Sequence, residues 1–79
     1  MPKFYFDLST EIDTFLDDEG CEVLNVTLAK RLALELLGQK IIDQSEGGVL
    51  GRIAVDVRDD KGPVLRVSAV VEEIGSNRL

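Results

Sequence analysis

Histidine is absent from this chain of 79 residues, and cysteine occurs only once. The lack of histidine argues against a hydrolytic triad and against a zinc site, because histidine is the commonest base in the first and the commonest ligand in the second. A single cysteine, Cys21, cannot form a disulfide within the chain. Its neighbours Glu19 and Glu22 are acidic, the opposite of the surroundings of reactive cysteines, so we expect Cys21 to be structural.

Basic residues are also scarce, and no long apolar run is present. Lysine and arginine total 9 against 15 aspartate and glutamate, a net charge of −6, and residues 1–25 hold seven acids against one lysine. Because such a surface repels a phosphate backbone, we expect no nucleic-acid partner. No segment has the roughly 18–20 apolar residues that a membrane span needs, and the N-terminus lacks the features of a secretory signal. We therefore expect a cytoplasmic protein without a membrane partner.

The residue types that are present suit a small folded domain. Hydrophobic residues make up 44% and charged residues 30% of the chain, as in ordinary globular proteins. We predict one compact domain over residues 1–74 and a loose C-terminal tail over residues 75–79. A chain of this length buries only about 60–65% of its unfolded surface, so association with another copy would help to stabilise it.

Three segments alternate apolar and polar residues with the period of two that is typical of strands, namely residues 3–8, 52–58 and 64–72. Residues 14–16 are a short strand candidate, ended by the acidic residues and glycine of segment 17–20. The acidic residues and glycine of segment 59–62 predict an antiparallel hairpin between segments 52–58 and 64–72. On the polar face of the sheet we favour cross-strand ion pairs over a bound carboxylate or phosphate. That face is predicted to carry Tyr5, Arg52, Asp56, Arg58, Arg66 and Ser68.

One helix is predicted from Val26 to about Gln44. Asn25 is suited to cap its first turn, and the glycines of segment 45–48 are suited to end it. Gly38 in the interior costs roughly 1 kcal/mol relative to alanine, which indicates that a ring or a backbone passes close to it. At about 100° per residue, the apolar side chains form two stripes. The first comprises Val26, Ala33, Leu37 and Ile41, and the second comprises Leu28, Leu32 and Leu36.

These elements predict an α+β fold of two layers, with one helix on a mainly antiparallel sheet of about four strands in the order β-β-α-β-β. One small sheet cannot bury both stripes of the helix, so the second stripe is expected to face a partner. Each leucine that leaves water contributes on the order of 1.5–3 kcal/mol. We therefore predict a homodimer with a two-fold contact through Leu28, Leu32 and Leu36. The alternative is that a rotated helix or a folded tail buries these leucines within one subunit.

Four short patterns occur together in one known family. They are Met1-Pro2-Lys3-Phe4-Tyr5-Phe6-Asp7, Glu19-Gly20-Cys21-Glu22, the helical Ala29-x-x-x-Ala33, and Val55-Asp56-Val57-Arg58-Asp59-x-x-Gly62. In these the chain resembles a family of short uncharacterised bacterial proteins that is known only as a domain of unknown function. The resemblance spans nearly the whole chain and implies a compact domain, but it implies no activity, cofactor or site residue. The positions of Leu28, Leu32 and Leu36 are commonly small or polar in that family, so these leucines depart from its pattern.

No catalytic, metal-binding or cofactor-binding constellation rises above background in the sequence. Paired carboxylates would need a pocket for acid and base work, and a layer with one helix has little room for one. We therefore predict a small non-catalytic interaction protein that associates with itself. Two alternatives stay open. The order of the elements is similar to the sheet domain of some antitoxins, which would make the chain a regulatory module with a small protein partner. The acidic segment 7–22 could instead hold a cation or small ligand, although its spacing does not match a calcium loop and we favour a solvated acidic rim.

Overall fold

The computed structural model describes residues 1–45, 51–72 and 74–75. As predicted, it has one helix packed on a mainly antiparallel sheet, which is an α+β fold. Its elements are β1 (Lys3–Ser9), β2 (Thr14–Phe15), β3 (Cys21–Glu22), α1 (Val26–Ser45), β4 (Gly51–Asp59) and β5 (Gly62–Val71). The predicted order β-β-α-β-β lacks β3, because Cys21 and Glu22, unlike Thr14 and Phe15 of β2, are not residue types that favour strands. The predicted glycine exit after Ser45 and residues 76–79 of the predicted tail lie outside the described residues.

The sheet has five strands in the order β2-β1-β4-β5, with β3 also paired to β1. β2 lies opposite the C-terminal end of β1, where Leu8 faces Phe15, and β3 lies opposite its N-terminal end, where Phe4 faces Cys21. β2 and β3 are therefore two parts of one edge that residues 16–20 interrupt. We call them, with residues 16–20, the interrupted edge.

The hairpin of β4 and β5 is confirmed. The two strands pair continuously from Gly51 opposite Val71 to Asp59 opposite Gly62, with one irregularity between Val57 and Arg58. In the turn, the backbone N–H of Lys61 donates to the Asp59 side chain at 2.8 Å. Such a side-chain acceptor is why aspartate is favoured in tight turns. β5 forms the second edge of the sheet.

The helix starts as predicted, because the N–H of Leu28 donates to Oδ1 of Asn25 at 2.9 Å. α1 packs on β4 and β5. The side chains of α1 that face the sheet near its start are small, so the helix lies close to the sheet. The buried apolar core comprises Phe4, Val23, Ala29, Ala33, Leu37, Ile53, Val55 and Val57.

Two expectations about the helix are wrong. Val26 was predicted to face the core but is exposed, because it is the first residue of α1 and precedes Ala29, the first buried position of the helix. Gly38 was expected to lie against a ring or a backbone. A Cβ placed on it would meet no atom within 4 Å, so space does not require glycine there.

Candidate functional site

The predicted interface stripe lies at the border between core and surface. Leu28 is 41% exposed and Leu36 is 47% exposed. Leu32, between them, is half-buried and packs against the core. The alternative in which one subunit shelters all three leucines therefore applies to Leu32 and not to the other two.

An apolar groove runs beside this stripe. Because α1 packs on β4 and β5, the helix-facing side chains of β1 are covered only in part, and Phe6 and Leu8 are half-buried. Leu36 lines a depression of about 350 Å³ with both of them, and a second of about 410 Å³ joins Leu32 and Leu36 to Phe6. A third depression, of about 390 Å³, continues past Leu28. We call this surface the leucine groove and define it by Phe6, Leu8, Leu28, Leu32 and Leu36.

Phe6 and Leu8 were not predicted to join the leucines. The alternation of β1 placed them on the helix side of the sheet, which was a usable signal. Their exposure depends on the position of the helix across the sheet, and no local pattern in the sequence reports that position.

Charges of both signs border the leucine groove. Arg31 and Glu35 form an exposed ion pair with 3.6 Å between Nε and Oε2. Farther along the helix, Lys40 and Asp43 line the depression next to Phe6. Glu22 lines the depression past Leu28. The formal charges of these five side chains sum to −1, whereas the whole chain carries −6.

On the opposite face of the sheet, Asp7 and Arg58 form a closed network. Asp7 is only 8% exposed. Its Oδ2 accepts from Nε of Arg58 at 2.8 Å, and its Oδ1 accepts from the backbone N–H of Asp17 at 2.8 Å. Arg58 also donates to the backbone carbonyl of Asp17 at 2.6 Å and stacks on Tyr5, 4.5 Å from the ring centroid. The hydrogen bond that Arg58 donates to Asp7 raises the pKa of Arg58, so the guanidinium keeps its charge.

Asp17 holds the interruption of the edge in place. Its carboxylate accepts from the backbone N–H groups of Gly20 at 3.0 Å, Glu19 at 3.1 Å and Phe6 at 3.1 Å. The bond to Phe6 replaces the strand partner that β1 lacks between β2 and β3. The N–H of Gly20 is the largest of the influences that lower the pKa of Asp17 below 3.8, and the positive charge of Arg58 acts in the same direction.

The predicted cross-strand ion pairs are confirmed. Arg66 pairs with Asp56 at 2.5 Å, and this hydrogen bond raises the pKa of Arg66. Asp56 lies directly opposite Asp7 in the register of β4 and β1. Like charges at that position would repel, but each carboxylate has its own arginine. An anion could reach Arg58 only by displacing Asp7.

The acidic N-terminal segment has structural tasks. Glu11 accepts the backbone N–H of Arg52 at 2.9 Å, beyond the last residue that β1 pairs with β4. Asp7 and Asp17 are engaged as described above. Within residues 1–45, 51–72 and 74–75, no group of three cysteine, aspartate or glutamate side chains could hold a metal ion. Cys21 is exposed and lies beside the leucine groove.

A protein-family model described as a domain of unknown function, DUF6894, matches residues 3–70. The chain belongs to this family. The DUF6894 match runs from the first residue of β1 to the penultimate residue of β5, so the domain is the whole fold described here. It supports the resemblance to an uncharacterised family, whereas the individual motifs and a bacterial source stay predictions. No curated protein and no solved structure matches the chain. None of the described helical residues forms a segment long and apolar enough to cross a bilayer.

Proposed function

We propose that this DUF6894 domain is a small non-catalytic interaction protein that associates with itself, and that the leucine groove is its contact surface. The observation that carries the proposal is the exposure of Leu28 and Leu36 beside the half-covered Phe6 and Leu8. A continuous apolar surface of this kind on a small domain is typical of an interaction site.

Burial of the groove contributes favourable free energy to association. Burial of a fully exposed leucine side chain contributes on the order of 1.5–3 kcal/mol, and Leu28 and Leu36, which are 41% and 47% exposed, retain somewhat less than half of that gain. In a two-fold contact the same groove is buried on both copies, so Leu28 and Leu36 each count twice. This gain offsets part of the loss of translational and rotational freedom, which costs at least about 4 kcal/mol.

A second copy fits the groove better than a strongly charged partner does. Two chains of −6 repel each other at long range, but the border of the groove carries Arg31 and Lys40 against Glu22, Glu35 and Asp43. Because the side chains of this border sum to only −1, the groove meets its own copy with little local repulsion. A small basic partner, as in the antitoxin-like alternative, would be complemented by an acidic border instead.

The paired charges support a role without chemistry. Asp7, Asp17 and Arg58 satisfy one another, and Asp56 satisfies Arg66. Among the described residues no buried side-chain nitrogen or oxygen lacks a hydrogen-bond partner. Carboxylates that already accept backbone N–H groups favour a structural role of the acidic segment over a cation site.

Light scattering after size-exclusion chromatography tests the proposal with Leu36→Glu and the matched control Ile12→Glu. Ile12 is an exposed apolar residue between β1 and β2, outside the leucine groove, and both changes add one negative charge. Leu36→Glu is expected to halve the mass of the wild-type assembly, because a carboxylate cannot enter an apolar contact without a large desolvation cost. Ile12→Glu is expected to keep the wild-type mass, and circular dichroism checks that both variants fold.

Equal masses for the wild type and Leu36→Glu, with both chains folded, would show that the groove does not mediate self-association. A lower mass for Ile12→Glu as well would show that a charge outside the groove has the same effect, and would contradict the assignment of the contact to the leucine groove.

A further inference from the structure

The second edge of the sheet is long and continuous. β5 has ten residues and pairs with β4 along one side. In the part of the chain that the structure describes, no strand pairs with its other side. An edge strand of this kind presents a row of backbone N–H and C=O groups that another strand can use.

The usual protection of an edge is confined to one end of β5. Pro63, which has no N–H, and the register irregularity between Val57 and Arg58 both lie near the turn. Arg66 is the only charged residue of β5, and it lies across the sheet on Asp56 of β4. Its charge is therefore paired within the subunit instead of repelling an approaching strand. Segment 65–71 is left without a proline, a bulge or an unpaired charge.

An exposed leucine of α1 lies on the flank above this edge, with Lys30 one turn before it. Leu34 is 48% exposed. It is two residues from Leu36 and therefore about 200° away around the helix. Since Leu36 lies above β1 beside Phe6, Leu34 lies on the opposite flank, toward β5. The leucine groove does not use this residue.

We propose that β5 pairs antiparallel with β5 of a second copy, about a two-fold axis at Ser68. This register places Ser68 opposite Ser68, Arg66 opposite Val70, and Leu65 opposite Val71. No charged side chain then faces its own copy, and apolar residues on the helix side face apolar residues. The contact joins the two sheets into one and is separate from the leucine groove, so it does not depend on the proposed function.

The position of the helix agrees with this pairing. Neighbouring strands lie about 4.8 Å apart. α1 packs more on β4 than on β5 in each copy, so two helices on a joined sheet are separated by between two and three strand spacings, roughly 10–14 Å. Packed helices lie about 8–10 Å apart, so long side chains can bridge this distance. The same two-fold axis therefore brings the exposed Leu34 flanks of the two helices toward each other.

Cross-linking tests the register. In a Cys21→Ser background, Ser68→Cys is expected to form an intersubunit disulfide under mild oxidation, because residues directly opposite have Cβ atoms about 4.5–5.5 Å apart, near the disulfide range. Val70→Cys is the matched control. It lies two residues farther along the same face, so its two copies are about 14 Å apart along the strands and should not cross-link.

A charge introduced at the two-fold axis tests the β5 contact without a cross-linking reaction. Ser68 is exposed, so Ser68→Lys leaves the subunit folded but places two lysines side by side, which is expected to halve the mass of the assembly. Ser68→Thr keeps a residue favoured in strands and is expected to keep the wild-type mass.

The experiments can refute the β5 contact and the leucine groove independently of each other. If Ser68→Cys cross-links no more than Val70→Cys, or if Ser68→Lys keeps the wild-type mass, the pairing of β5 is wrong. The result with Leu36→Glu still decides the leucine groove in that case. Conversely, a Leu36→Glu chain that retains the Ser68→Cys cross-link has lost the groove and kept the strand contact.

Discussion

The two edges of this sheet are built in opposite ways. The interrupted edge consists of two strands of two residues each, β2 and β3, separated by residues 16–20. The β5 edge is one strand of ten residues. On the interrupted edge a side chain, Asp17, takes a backbone N–H of β1 that would otherwise be open. β5 has no such feature among its described neighbours.

The difference shows how a small chain uses its acidic residues. Asp7 and Asp17, with Arg58, tie the N-terminal strands to β4 across sequence separations of up to 51 residues. Where Asp17 accepts the N–H of Phe6, β1 offers that donor to no further strand, and β2 and β3 are too short to template a long one. An edge left with free backbone groups can associate. The acidic segment is thus a means of closing one side of the sheet.

The largest loss of unfolding free energy at the interrupted edge is expected from Asp7→Ala. Removal of the carboxylate leaves Arg58 and the N–H of Asp17 without their acceptor, which is expected to cost about 2–3 kcal/mol of unfolding free energy. The matched control is Asp56→Ala, which lies directly opposite in the sheet but pairs with Arg66 nearer the surface, so a clearly smaller loss is expected. Urea denaturation measures both. Equal losses would show that the network gives the interrupted edge no special stability.

A smaller, pH-dependent effect is expected from Asp17→Ala. The variant loses an acceptor of three backbone N–H groups, with an expected cost of about 1–2 kcal/mol at neutral pH because the site is partly open to solvent. The pKa of Asp17 is lowered in the folded state, so its contribution is complete above the unfolded value of 3.8 and is lost as the pH falls through the folded value.

The stability difference between the wild type and Asp17→Ala should therefore narrow as the pH falls below about 3.8. Thermal unfolding between pH 2 and pH 7 measures it. A difference that stays constant over this range would contradict a role of the ionised carboxylate.

The smallest effects are expected when one methyl group is added at Gly20, in the interrupted edge, or at Gly38, in the helix. Gly20 has φ +75°, and a Cβ there would lie 2.9 Å from Cε2 of Tyr5, so Gly20→Ala is expected to destabilise the domain by about 1–2 kcal/mol. Gly38 meets no atom within 4 Å, so Gly38→Ala is expected to stabilise the helix by up to about 1 kcal/mol. Melting temperatures that move in the same direction for both variants would contradict this difference in packing.

Local sequence patterns predicted those elements that have an alternation of apolar residues, a turn sequence or a capping residue. The alternation of β1, β4 and β5, the acidic turn before Gly62, and the cap at Asn25 all correspond to the structure. β3 was missed because Cys21 and Glu22 carry no strand preference of their own, and their conformation depends on pairing with β1, which is distant in the sequence. Val26 was placed in the core because it lies on the same side of the helix as Ala33 and Leu37. The position around the helix does not tell how far along the helix axis the sheet extends.

The candidate site was predictable only in part. The excess of apolar residues on α1 singled out Leu28, Leu32 and Leu36, and the structure exposes the first and the last of them. The participation of Phe6 and Leu8, and the separate exposure of Leu34, depend on how α1 lies across the sheet. The engagement of Asp7 with Arg58 was equally hidden, because the two residues are diagonal neighbours on adjacent strands.

The sequence by itself determined the class of the fold, the hairpin, the start of the helix and the surplus of leucines, because each of these follows from residues near one another in the chain. Only the tertiary structure decided which flank of the helix stays open, which edge of the sheet is closed, and which acids are paired. Those outcomes depend on where one helix rests on a sheet and on strand register, and both are set by contacts between residues far apart in the chain.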